Sequence, residues 1–279
     1  MLVSLKEILK IAEARKCAIG SFNTPNMASI RAVLGAAEAL GEPVILMHAQ
    51  VHEEMGLCKM DEIAPVMLLL ADKASVPVCV HLDHGTDLDY VKRGLDVGFT
   101  SVMYDGSTLD AAMNYANTAI VRELSLSYGA SLEAEIGSMG ARESAASGEP
   151  ADESIYTDPD EAKKFVAETG VDALACAFGT AHGLYLKQPQ LDFDRLSRIR
   201  SLVSVPLVMH GGSGVSVEDY KRVIDLGIRK INYYTYMAKA GGSAVSQMQD
   251  RTFFHDVEIA AIEAMKADVS NAMRVFVGK

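Results

Sequence analysis

Strand-like and helix-like segments alternate about eight times along this chain of 279 residues, with no Ser- or Pro-rich linker between them. A strand that leads into a helix can rejoin its neighbour only in parallel, so the alternation predicts a parallel sheet covered by helices. The predicted strands cover 18–22, 43–48, 76–82, 100–104, 131–136, 172–178, 206–209 and 230–233. Start and stop signals mark the helices between them: Asn26 to Gly41, Thr86-x-x-Asp89 to Gly98, Asp158-Pro159 to Gly170, and Ser216-x-x-Asp219 to Gly227. Eight units of this size point to an α/β fold, a TIM (β/α)8 barrel formed as one domain over 1–279, with a doubly wound sheet as the competing arrangement. An extra C-terminal helix over 256–275 follows, with Ile259, Ile262, Met265, Val269 and Met273 on one stripe.

Polar residues gather where these strands end. Asn23, His48, Asp83 with His84, Asp105, Glu135, His182, His210 and Asn232 all lie at or just beyond a C-terminal strand end. In a barrel those ends form one face, the one that carries catalytic groups. A strand-end Asp or Asn can equally cap the next helix. That explanation fails for the pair His-Gly, which closes an apolar run three times, at His84-Gly85, His182-Gly183 and His210-Gly211.

Three neutral imidazoles would leave a Zn2+ ion an open coordination position, the catalytic pattern, and Asp83 brings an acid/base carboxylate beside the first of them. Asp83 could alternatively orient an imidazole from behind. Gly211-Gly212-Ser213-Gly214 follows the seventh strand and opens a helix, so its backbone N–H groups can converge on an anion. Lys plus Arg 26 against Asp plus Glu 37 gives a net charge of −11, which opposes binding to nucleic acid or an anionic membrane. No apolar run is long enough to span a bilayer, and Cys17, Cys58, Cys79 and Cys176 show no paired spacing. The expectation is a soluble, cytoplasmic enzyme.

The segments His81-Leu-Asp-His-Gly85, Ser101-Val-Met-Tyr-Asp-Gly-Ser107, Leu132-Glu-Ala-Glu-Ile-Gly137, Tyr156-Thr-Asp-Pro159, Ala177-Phe-Gly-Thr-Ala-His-Gly183 and Val208-Met-His-Gly-Gly-Ser-Gly214 resemble, in order, the class II zinc-dependent ketose-bisphosphate aldolases. The resemblance runs from about residue 3 to 240. It implies a dimeric or tetrameric barrel that cleaves a phosphorylated ketose reversibly to dihydroxyacetone phosphate and an aldehyde. It makes His84, His182 and His210 the zinc ligands and Asp83 the group that exchanges a proton with the C4 oxygen. Asp105 and Glu135 would hold a second divalent ion or steer the zinc, and a monovalent cation is left open. Glu143 would move the dihydroxyacetone phosphate proton. Asn23 is placed among the substrate-binding residues, and the phosphate would lie on Gly183, Gly211, Gly212, Ser213, Asn232 and Thr235. Zinc would stabilise the charge left when the C3–C4 bond breaks, in place of a Schiff-base lysine. The Gly-punctuated stretch 138–157 suits a lid.

Departures from the family pattern fall on the aldehyde half. Tyr234, Tyr236 and Ala238 replace acidic and basic positions, and Ala49, flanked by His48 and Gln50, replaces a serine near the phosphate. In the stretch 138–157 the usual Gly-Gly and Glu-Asp become Gly140-Ala141 and Glu143-Ser144. The expected aldehyde is therefore less acidic or differently shaped than in fructose 1,6-bisphosphate cleavage, with tyrosine hydroxyls and His48 as candidate partners for neutral hydroxyls. Two other functions stay open: a metal-dependent hydrolase or isomerase on the same barrel, and a non-catalytic partner of an active aldolase.

Overall fold

The computed structural model describes residues 1–137, 156–185, 187–249 and 251–279. Its strands are β1 (Leu2–Val3), β2 (Ile19–Asn23), β3 (Val44–Ala49), β4 (Val78–Gly85), β5 (Ser101–Tyr104), β6 (Ser131–Ile136), β7 (Ala173–Cys176), β8 (Leu207–Met209) and β9 (Ile228–Tyr233). The helices are α1 (Leu5–Arg15), α2 (Met27–Leu40), α3 (Gln50–Glu54), α4 (Met60–Lys73), α5 (Leu88–Asp96) and α6 (Ala111–Ser127), then α7 (Pro159–Thr169), α8 (Phe193–Leu202), α9 (Val217–Asp225), α10 (Thr235–Gln247) and α11 (Phe254–Phe276).

Every strand pairing is parallel, and β4 pairs with both β3 and β5, so β2 to β9 close into an eight-stranded barrel. This is the TIM barrel the alternation predicts, in one domain. The two-residue β1 adds to the base of β4, where Leu2 faces Val78.

Side-chain alternation along each strand decides what enters the barrel. Ile45 and Met47 of β3, Cys79 of β4 and Val208 of β8 pack inward on Leu5, Ile8 and Leu9 of α1, which plugs the base. Val44, Leu46, Val78, Val80, Leu82 and Leu207 face the helix layer and join the larger apolar cluster. The inward parity that carries Cys79 continues to His81 and Asp83. On β6 it selects Glu133 and Glu135, and on β9 Lys230 and Asn232. The polar interior therefore sits above an apolar base.

Local chemistry explains the helix ends. Ser4 and Glu7 form a reciprocal capping box on α1, and Asn26 with Ser29 does so on α2. The α5 start departs from the sequence expectation: Asp87, not Thr86, caps it, accepting from the N–H groups of Asp89 and Tyr90. Thr86 N–H instead donates to Gln50 Oε1 at 2.9 Å. The C-terminal helix is longer than predicted. Ile262, Met265, Val269 and Met273 of its stripe are buried against the rest of the chain, whereas Ile259 is 53 % exposed. No helix among the described residues is long and apolar enough to cross a membrane.

Candidate active site

His84, next to last in β4, adopts the left-handed region at φ 47°, which directs its ring across the mouth of the barrel. Its Nδ1 lies 2.6 Å from Asp105 Oδ2, beyond the end of β5. His210 follows β8 and is fully buried, with Nε2 2.9 Å from Glu133 Oε1. His182, in the loop after β7, brings its ring centroid to 4.9 Å from that of His84 and 6.0 Å from that of His210. One ligand nitrogen from each of the three lies within 4.8 Å of the others.

This donor set fits a divalent metal. Asp105 and Glu133 take up the outer nitrogens of His84 and His210, which fixes the protons there and turns the remaining lone pairs inward. Those inward nitrogens, His84 Nε2 and His210 Nδ1, are 2.9 Å apart. Two lone pairs at that separation repel unless a cation or a shared proton lies between them. The surrounding charge favours a cation. Burial alone would lower the pKa of His84, but Asp83, then Asp105 and Glu135, outweigh it and push the group up to about 10. Glu135 is driven well above the usual carboxylate range by burial and by Asp105, and its Oε2 is buried without a hydrogen-bond partner among the described residues. Together with His84 and Asp105 it forms a second cluster of the size a metal ion needs.

Asp83 lies between two amides. Asn23 Nδ2 donates to its Oδ2 and Asn232 Nδ2 to its Oδ1, each at 3.0 Å. Burial opposes its charge, but His84, His210, Lys230 and the Asn23 hydrogen bond together hold it far below the ordinary carboxylate range. At neutral pH it is an ionised carboxylate held in one orientation.

Asp83, His84, Asp105, Glu135 and His182 line a cavity of about 570 Å3 at the C-terminal mouth of the barrel. Asn23, Gly183, Gly211, Ser213, Asn232 and Thr235 line it too, whereas Gly212 does not. Gly212 N–H is committed to the carbonyl of Asn232 at 3.0 Å. Gly211 adopts φ 63°, and a Cβ there would meet the Ala181 carbonyl oxygen. Thr235 opens α10, whose start has no side-chain cap, so its first-turn N–H groups are available at the cavity. Glu143 and most of the 138–157 stretch lie outside the described residues.

Three sequence expectations about the aldehyde half are displaced. His48 is fully buried behind the wall, bonded through Nε2 to Tyr90 Oη at 2.9 Å. Tyr236 packs under Gly214, and Ala238 lines a separate groove. Of the substituted positions, Tyr234 and Ala49 line the cavity. His52, which also lines it, was not distinguished by sequence because nothing there marked the short helix α3.

The family model for class II fructose-bisphosphate aldolase matches residues 3–279. A fructose-bisphosphate aldolase of Geobacillus stearothermophilus is 39% identical over 281 residues, covering 99% of this chain and 96% of that protein. Among solved structures, the YdjI aldolase of Escherichia coli K12 superposes with a TM-score of 0.88 at 35% identity, covering 99% of this chain and 97% of that one. A putative fructose-1,6-bisphosphate aldolase of Coccidioides immitis gives 0.86 at 28% identity, with 98% and 95% covered. Full-length matches in sequence and in fold, over a barrel mouth built in this way, lead to one conclusion: the chain belongs to the class II fructose-bisphosphate aldolase family.

Proposed function

We propose that the protein catalyses zinc-dependent, reversible aldol cleavage of a phosphorylated ketose to dihydroxyacetone phosphate and an aldehyde. The observation that carries this reading is the convergence of His84, His182 and His210 from three strand ends beside an Asp83 held ionised between Asn23 and Asn232. Zinc held by the three imidazoles would act as a Lewis acid for the negative charge left on the three-carbon half when the C3–C4 bond breaks.

The chain's own groups account for the rest. In cleavage Asp83 takes the C4 hydroxyl proton, the C3–C4 electron pair stays on C3, and the C4 carbonyl forms. Condensation reverses each step, and Asp83 returns the proton. An amide on each oxygen holds the Asp83 carboxylate in one orientation, so proton transfer needs no rotation of it. Gly183, Gly211, Ser213, Asn232 and Thr235 surround the phosphate, with the α10 N-terminus complementing its charge. Gly212 shapes this loop through its bond to Asn232. Glu143 would move the C3 proton, and Asp105 with Glu135 would steer the zinc or hold a second cation. A homodimer or homotetramer in the cytoplasm is the proposed working form.

Zinc-loaded protein incubated with ketose 1-phosphates and 1,6-bisphosphates should release dihydroxyacetone phosphate, read by a coupled dehydrogenase. The release should vanish with chelator and with Asp83→Ala. Absence of release from every sugar, with one equivalent of zinc bound, would remove the reading for these substrates.

A further inference from the structure

One stretch of the cavity wall takes no part in the chemistry above. Ala49, from the end of β3, and Val51 and His52, from α3, line it together with Tyr234. His52 is only 6% exposed and its Nδ1 is buried without a hydrogen-bond partner among the described residues. Its ring centroid lies 5.0 Å from that of Tyr234, tilted by 51°. An imidazole buried this far ordinarily finds partners for its nitrogens. The His52 ring makes no hydrogen bond to any described residue and lines the cavity, so what fills the cavity is left to partner Nε2, the ring nitrogen that is not enclosed. Burial keeps it neutral, with Asp83 opposing only in part, so Nε2 can donate or accept according to the tautomer.

The charge of the wall decides the class of that partner. The described lining includes Asp83, Asp105 and Glu135 but no Lys or Arg. A phosphate on the aldehyde half would enter a site rich in carboxylates, with no Lys or Arg among its described lining to meet it. An uncharged hydroxyl requires only a hydrogen bond, which a neutral imidazole gives in either direction.

We propose that His52, packed on Tyr234, is the specificity-determining residue for the aldehyde half, that it hydrogen-bonds an uncharged hydroxyl there, and that the ketose carries its phosphate on the dihydroxyacetone half alone. The proposal rests on the aldol chemistry proposed above and is tested so that the two can fail separately. Three reactions of the zinc-loaded protein are compared: deuterium exchange of the carbon-bound proton of dihydroxyacetone phosphate alone, its condensation with glyceraldehyde, and its condensation with glyceraldehyde 3-phosphate.

Exchange involves no aldehyde and should proceed in the wild type and, within about twofold, in His52→Leu. The wild-type kcat/KM for glyceraldehyde should exceed that for its 3-phosphate by at least about tenfold. His52→Leu should lower the glyceraldehyde value about tenfold, the scale of one hydrogen bond, and His52→Asn should recover part of the loss. Preference for the phosphorylated aldehyde overturns the proposal without recourse to any variant. So does a His52→Leu protein that condenses glyceraldehyde normally, or one that loses exchange to the same extent. Failure of the zinc-loaded wild type to exchange the proton would overturn the aldolase reading, and the role of His52 with it.

Discussion

Lys230 Nζ lies 3.0 Å from Glu133 Oε2 inside the barrel, with both side chains fully buried. Glu133 also takes His210 Nε2, so a lysine on β9 sets the charge of a carboxylate on β6 that orients an imidazole after β8. Burial opposes the charge of Glu133, yet Lys230, then His210 and His81, hold it down to about 2. Lys230→Met should strand that charge and cost about 3 kcal/mol of stability, on the scale of a broken buried pair. Zinc affinity should fall roughly 10- to 100-fold, because the partner of His210 is no longer fixed. The double variant Lys230→Met/Glu133→Leu should regain stability without regaining affinity. Denaturant unfolding and competition with a zinc indicator separate the two, and joint recovery of both would refute the orienting role.

Gly211→Ala should damage both the fold and the site. Its φ of 63° is a region side chains rarely adopt, and the added Cβ would run into the Ala181 carbonyl oxygen. The two loops that must separate carry His210 and His182. A loss of roughly 2 kcal/mol or more is expected, with zinc affinity falling alongside. Gly56→Ala is the control, since its φ of 71° is similar but nothing lies within 4 Å of the added atom. Equal effects at the two positions would show that backbone strain alone is responsible.

The barrel was legible because the strands are short apolar runs and the helices carry explicit caps, as at Asn26 and Asp158. The strand-end histidines were legible because nothing in a core requires His-Gly three times. His52 shows the limit: His48 shares the outward parity of Val44 and Leu46 on β3, whereas only the turn of the unmarked five-residue helix α3 brings His52 to the cavity. Glu133 and Lys230 were missed because each sits mid-strand, where their partnership depends on register across β6 to β9. Gly212 reads like Gly211 in sequence, yet the carbonyl of Asn232 claims its N–H.

Removing the metal should destabilise the protein measurably. If zinc binds His84, His182 and His210, saturation at a thousand times Kd contributes about 4 kcal/mol, which for a domain of this size lowers Tm by roughly 7 °C when it is withdrawn. His182→Ala should abolish most of the zinc-dependent shift. His182 is exposed, so its removal leaves the core intact and the metal-free Tm should barely move. Calorimetry with and without chelator measures this, and an unchanged zinc-dependent shift in the variant would exclude His182 as a ligand.

Acid should unfold the protein partly through His48. Burial, only partly offset by Glu53, pushes its pKa down to about 4 from an ordinary 6.5. The folded state therefore favours the neutral ring, while the unfolded chain takes up the proton more readily. The stability from the neutral ring is fully present above pH 6.5 and is lost as pH falls towards 4. Linkage over that window amounts to about 3 kcal/mol, of which about 1.4 kcal/mol should be gone by pH 5.5. His48→Gln retains a polar group for Tyr90 but cannot titrate, so its stability should fall less steeply by about that amount. Other buried histidines, such as His81, are lowered in the same sense and remain in both proteins, so the difference between them isolates His48. Denaturant unfolding at pH 7.5, 5.5 and 4.5 measures it, and parallel curves for the two proteins would mean that His48 contributes nothing to the acid sensitivity.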